Sequence, residues 1–264
     1  MGKIIAITNQ KGGVGKTTTS VNLAASLGAT NRKVLLVDLD PQGNATMGSG
    51  VDKHALEFSA YDMLMAYDLL AGGIAVTDVI VSSAEAGYDL LPANADLTAA
   101  EVELLTQPHR ERRLREALAM VVDNYDFILI DCPPSLNMLT LNALVASDAV
   151  MIPMQCEYYA LEGLTALVKT IEEVRATLNP SLEIEGLLRT MYDPRNRLAG
   201  DVAAQLSKHF GDKVYRTVIP RNVRLAEAPS HGLPALAYDK ASSGAKAYLA
   251  LAGEVLRRQQ TAAA

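Results

Sequence analysis

The chain has 264 residues, 49% of them hydrophobic and 20% charged, with a formal net charge of −6. Such a composition excludes a disordered or collagen-like chain and fits a globular protein with a full core. Two cysteines, Cys132 and Cys156, make no disulfide framework and point to a reducing compartment, and no apolar run reaches transmembrane length. The start, "MGKIIAIT", lacks the apolar region and cleavage site of a signal peptide, and Ala6 stands where a myristoylation signal needs Ser or Thr. With three Phe and no Trp, stacking on bases is not the main business of this surface. A cytoplasmic protein is expected.

In chain order, short apolar runs alternate with helical patterns. Strands are predicted at 3–8, 33–40, 126–131, 149–154, 183–192 and 214–220, most of them apolar on both faces as a covered parallel sheet requires. Helices are predicted at 17–29, 109–123, 137–146, 160–178, 198–210 and 242–258. Residues 45–108 are less regular and suggest short helices with one strand near "YDLLPA" (88–93). The order implies an α/β fold, a doubly wound and mostly parallel sheet with helices on both faces and right-handed crossovers. Without a low-complexity linker or repeat, one domain over 1–264 is the simplest account.

Between the first strand and the first helix lies "NQKGGVGKTTTS", residues 9–20. The phosphate-binding P-loop pattern is a Gly, four free positions, then Gly-Lys-Ser/Thr. Gly15, Lys16 and Thr17 fit, but the first Gly falls on Gln10, next to a second lysine, Lys11. Gly12, Gly13 and Gly15 let the backbone wrap close enough for its N–H groups to point at phosphate oxygens. The helix adds its N-terminal dipole, Lys16 is placed for the β/γ-phosphates and the Thr17 hydroxyl for Mg²⁺. A glycine-rich turn without ligand is the alternative, and the strand, the helix and the Lys-Thr pair together weigh against it.

A magnesium nucleotide needs a further carboxylate. "FILID" ends in Asp131, a Walker-B-type strand that is apolar until its last residue. "DLDPQGN" offers Asp40 just before Pro41, where the chain leaves the sheet at its carboxyl edge, and Asp38, which suits a buried structural place. Sequence separates these two acids poorly.

"KGGVGKTTT", "VLLVDLDPQGNAT", "ILIDCPPSL", "VIPMQCEYYALEGL" and "VIPRNVRLAEAPSHG" together resemble the ParA/Soj family of chromosome-partitioning ATPases, in the deviant Walker A group related to MinD. The resemblance runs from residue 3 to about residue 250 and shows no departure at the family's key positions. It implies a slow Mg²⁺-dependent ATPase with ATP cradled by Lys11, Gly12, Gly13, Val14, Gly15, Lys16, Thr17 and Thr18. It implies that Lys11 reaches across an ATP-bound homodimer to the partner's nucleotide. Two anionic ATP faces repel unless cations cross between them, which is consistent with that role. By the same resemblance Asp40 positions the attacking water, Asp131 supports Mg²⁺ together with Thr17 and Asp40, and Pro220 and Asn222 lie beside the adenine. Nonspecific double-stranded DNA and a ParB-type centromere-binding protein are the implied partners, with a nucleoid-associated location.

Charge is unevenly spread. Residues 189–224 hold eight basic against three acidic residues, a surplus of +5 that leaves −11 for the rest of the chain. A polyanion-binding face is one reading and a solvated basic face the other. On the first reading Arg195 and Arg224, with Arg221 and Arg197, contact phosphates without reading sequence. Competing classes fare less well. The tail "LALAGEVLRRQQTAAA" is a poor membrane anchor, so no membrane partner is expected. The cysteines form no C-x-x-C pair, and His54, His109, His209 and His231 lack metal-ligand spacing. A scaffold that binds nucleotide without hydrolysing it is set against the intact Lys16, Asp40 and Asp131.

Overall fold

A computed structural model describes residues 2–65, 74–157 and 160–262. Tyr158 and Tyr159 of the quoted "EYYALEGL" stretch, and 66–73 of the irregular segment, lie outside the described residues. One eight-stranded sheet is built from β1 (Lys3–Ile7), β2 (Val34–Asp38), β3 (Val81–Ser83), β4 (Tyr88–Leu91), β5 (Phe127–Asp131), β6 (Ala149–Met154), β7 (Glu183–Tyr192) and β8 (Val214–Pro220). Its order is β3-β4-β2-β5-β1-β6-β7-β8, and every neighbouring pair is parallel except β3–β4. The helices are α1 (Lys16–Gly28), α2 (Asn44–Gly48), α3 (Ala60–Met65), α4 (Val76–Val79), α5 (Leu97–Glu103), α6 (Arg113–Ala119), α7 (Met138–Ala146), α8 (Ala160–Thr177), α9 (Arg197–Phe210), α10 (Val223–Glu227), α11 (Ala235–Tyr238) and α12 (Ser243–Ala262).

Strand residues alternate between two buried layers, as the period of two demands. Ile4, Ala6, Leu35, Val37, Ile128, Ile130, Val150 and Ile152 pack with α3 through α9. Ile5, Ile7, Leu36, Leu129, Met151 and Leu188 pack with α1, α2 and α10 through α12. Continuous apolar runs in the sequence are therefore strands covered on both faces. Truncating one of the fully buried isoleucines to Ala costs about 2–5 kcal/mol.

The helix expected over 109–123 is shorter. His109 sits at φ 53, the α-helix spans only Arg113–Ala119, and a 3₁₀ turn follows at Val122–Asn124. The antiparallel edge strand β3 was not expected: with three residues it carries no readable alternation. β2 stops at Asp38, so Asp40 lies beyond the strand. Among the described residues no helix is long and apolar enough to cross a membrane.

Parallel strands bring their carboxyl ends to one edge. Register pairs Ile7 and Asp38 with Asp131, and Tyr192 with Pro220. The P-loop, Asp40, Asp131 and the segments following β7 and β8 thus meet at the carboxyl edge, where open α/β sheets bind ligands. A concavity of about 1130 Å³ opens at the opposite edge, beside Lys3, Glu183 and Lys213, away from all of these groups.

Candidate nucleotide-binding site

β1 ends at Ile7, and the loop after it is anchored before it turns. The Asn9 side chain donates to Pro153 O at 2.8 Å and accepts from the Lys11 N–H at 3.0 Å. Gly13 and Gly15 take φ values of 72° and 88°, a region where a side chain is strained. A Cβ on Gly12 would meet nothing within 4 Å, so the space beside it is open. Neighbouring strands brace the loop: Thr190 Oγ1 donates to Val14 O at 2.7 Å, and Gln155 Nε2 to Gly13 O at 3.2 Å. Helix α1 then starts with no side-chain cap and no acid in its first turn. Its free N–H groups and positive dipole end are left for an anion.

Lys16 is 7% exposed, and its Nζ donates to Lys11 O at 3.2 Å. Burial lowers its pKa, and the nearby Asp131, Cys132 and Asp40 oppose that fall. The Thr17 hydroxyl lies near enough to Asp131 to oppose the rise of its pKa, and Thr18 is half-buried on the next position of the helix. Lys16, Thr17, Asp40 and Asp131 are therefore one neighbourhood.

Asp131 is fully buried at the end of β5. Its Oδ1 accepts from Ser20 Oγ at 2.8 Å, while its Oδ2 is buried without a partner. Burial and the proximity of Asp38 push its pKa upward. An orphaned buried carboxylate oxygen is costly unless something charged or hydrated fills the gap. The Thr17 hydroxyl and this oxygen are the hard oxygen donors that a hydrated Mg²⁺ takes, so the residues present fit the ion.

The structure separates the two acids of "DLD". Asp38 is fully buried and accepts from Thr46 N–H and Thr46 Oγ1, both at 2.8 Å, and from the Asp40 N–H at 3.1 Å. It shapes the loop that carries Asp40. Asp40 is half-buried, and its Oδ1 accepts from the Gln42 N–H at 3.0 Å. Cys132 is fully buried, and burial pushes its thiol pKa up, as suits packing rather than reactivity.

Lys11 points away from this neighbourhood. Its Nζ lies 2.5 Å from the Glu157 carboxylate on an exposed face, next to the exposed Gly12 and Gly13. Pro220 closes β8, and Asn222 follows it with Nδ2 bonded to Ser243 Oγ at 2.8 Å and Oδ1 buried without a partner.

The basic stretch does not form one face. Arg195, Arg197, Arg221 and Arg224 are exposed beyond the carboxyl ends of β7 and β8, whereas Arg189, Lys213 and Arg216 line the concavity at the amino edge. Arg189 is half-buried and donates to the carbonyls of Tyr215 and Arg216 at 2.9 and 3.3 Å. Of the exposed four, Arg195 grips Asp193 at 2.8 Å, and Arg224 meets Glu227 at 2.7 Å and Asp239 at 3.4 Å.

Ser20, Gln155, Glu157 and Thr190 escaped sequence reasoning. Ser20 lies one helical turn after Lys16, so the spacing alone could have suggested that it faces Asp131. The other three come from segments that only the adjacency of β1, β6 and β7 brings to the loop.

A family model described as an AAA domain matches residues 2–184. The sporulation initiation inhibitor protein Soj of Bacillus subtilis is 56% identical over 255 residues, covering 97% of this chain and 98% of that protein. The chromosome partitioning protein ParA of Caulobacter vibrioides is 52% identical over 260 residues, covering 98% and 95%. Among solved structures, cobyrinic acid a,c-diamide synthase from Mycobacterium smegmatis, with bound ATP analog and magnesium, superposes with a TM-score of 0.85. It is 37% identical, covering 99% of this chain and 97% of that one. Identity above one half over nearly the whole length, on a P-loop that carries a second lysine, has one meaning: the chain belongs to the ParA/Soj family of chromosome-partitioning ATPases.

Proposed function

We propose that this chain is a DNA-partitioning ATPase whose ATP-bound homodimer holds nonspecific double-stranded DNA and lets go on hydrolysis. Its cofactors are ATP and Mg²⁺. Lys16 and the first-turn N–H groups of α1 hold the phosphates, and Thr17, Asp131 and Asp40 surround the metal and its waters. Asp40 orients the attacking water on a loop held by Asp38. Asn222 offers an unpaired acceptor to the adenine, with Pro220 beside it. We read the two buried layers, which share one sheet, as a single ATPase domain.

One observation carries the dimer reading. Lys11 extends from the phosphate loop yet away from its own Lys16 neighbourhood, onto an open face with free space at Gly12. In that position its ammonium serves a second subunit's triphosphate better than its own. Dimerisation joins the two sets of carboxyl-edge arginines on one body, so weak phosphate contacts gain avidity that a monomer lacks. Hydrolysis and departure of the phosphate lower the charge that Lys11 answers, and the dimer loosens. A ParB-type partner speeds that step.

The test is phosphate release from Mg²⁺-ATP by the chain alone, with mixed-sequence duplex, and with duplex plus a ParB-type protein. Slow basal turnover that rises with both additions is expected. Turnover indifferent to DNA and partner contradicts the reading.

A further inference from the structure

The exposed ammonium of Lys11 is already engaged. Its Nζ lies 2.5 Å from Glu157 Oε2, with the side chains 45% and 49% exposed. The residues are 146 positions apart, and the pairing follows from the adjacency of β1 and β6. Backbone geometry presents one group to the other. The Lys11 N–H bonds to Asn9, whose amide bonds to Pro153 O, and Gln155 reaches Gly13 O from the same connection after β6. The Lys11 carbonyl meanwhile accepts from Lys16 Nζ. The backbone of residue 11 thus stays with the chain's own phosphate site while its side chain is drawn off it.

We propose that Glu157 is the positioning residue of Lys11, a counter-ion within the subunit that sets the threshold for ATP-driven dimerisation. The proposal rests on the cross-subunit role of Lys11 argued above. One ammonium cannot sit on its own carboxylate and on a partner's triphosphate at once, so closure exchanges the first for the second. A triphosphate carries several negative charges and wins the exchange. The exchange still gives up the Glu157 pair, and a two-fold dimer gives up two. It also leaves two carboxylates near two triphosphates. Subunits without ATP have nothing to offer in return and stay apart. A diphosphate offers less than a triphosphate, so Glu157 sharpens the distinction between ATP and ADP.

The experiment compares the dimer dissociation constants of wild type, Glu157→Gln, Glu157→Asp and Lys11→Ala by analytical ultracentrifugation, with Mg²⁺ and a non-hydrolysable ATP analogue or ADP. Exposed ion pairs are weak, so two lost pairs predict that Glu157→Gln tightens the dimer by about 2- to 30-fold. The gain is expected to shrink in high salt, and Glu157→Asp to restore the wild-type threshold in part. Nucleotide affinity of dilute Glu157→Gln should match wild type. An unchanged or weaker dimer in Glu157→Gln at low salt overturns the proposal. Lys11→Ala separates the two levels: dimerisation like wild type in that variant removes the cross-subunit reading itself. Loss of the dimer there, beside an unchanged Glu157→Gln, removes only the role of Glu157.

Discussion

Arg195 at the carboxyl edge offers a quantitative test of DNA contact. Its side chain is 87% exposed and forks onto Asp193, with Nε at 3.0 Å and Nη2 at 2.8 Å. The same hydrogen bond holds the Asp193 carboxyl down at about 2. A DNA phosphate must share that fork or displace Asp193 from it. Each phosphate contact contributes about 0.9 to the slope of log K against log[salt], and a two-fold dimer makes the contact twice. Full loss in Arg195→Ala is therefore worth about 1.8. Because Asp193 competes for the guanidinium, Arg195→Ala should cost less than this in the wild-type background and the whole of it beside Asp193→Asn. Asp193→Asn alone should bind DNA more tightly at any fixed salt. The assay is a titration of mixed-sequence duplex at several salt concentrations, with saturating ATP and Asp40→Ala to stop turnover. Equal slopes with and without Arg195 in both backgrounds would show a solvated face and refute the contact.

Asp40→Ala should keep ATP affinity and lose hydrolysis, because the phosphate cradle is untouched; phosphate release at the wild-type rate would remove the water-positioning role. Lys16→Ala should abolish tight nucleotide binding by dilute monomer, whereas Lys11→Ala should spare it and lose ATP-dependent dimerisation; equal loss of affinity in both places Lys11 within its own subunit. Glu254 is buried and accepts from the Arg216 and Thr217 N–H groups, both at 2.9 Å, from Thr217 Oγ1 at 2.8 Å and from Arg258 at 3.0 Å. Burial pushes its pKa up, but these hydrogen bonds win and the net shift is downward. A lowered pKa means that the carboxylate stabilises the fold above its unfolded value of about 4.3, and that this is lost as pH falls through the folded value. Glu254→Gln should cost about 1–3 kcal/mol in urea unfolding at neutral pH, with the gap to wild type narrowing in acid. A gap independent of pH contradicts the assignment.

The sheet was legible because parallel strands covered on both faces leave runs such as "FILID" with no polar residue before the last. α6 was overextended because nothing in 109–113 announces that His109 turns left-handed. The P-loop announced itself locally, through glycines, a lysine and a threonine within one turn. Asp38 and Asp40 could not be told apart in the sequence, because the apolar run "KVLLVDLD" reads as one strand through Asp40, whereas β2 stops at the fully buried Asp38. The run of basic residues misled in one respect. β8 spans the sheet, so Lys213 and Arg221 at its two ends emerge at opposite edges although eight positions apart. Gln155, Glu157 and Thr190 left no signal, because each meets the loop through a neighbouring strand and not through the chain.

The central claim is that ATP gates a body able to hold DNA. It is tested most directly by duplex binding of the wild-type chain with Mg²⁺ and ATP, with Mg²⁺ and ADP, and without nucleotide, at one salt and one protein concentration. The account predicts binding with ATP and little with ADP or none, equally on unrelated sequences. Equal binding in all three states, or binding confined to one sequence, would contradict it.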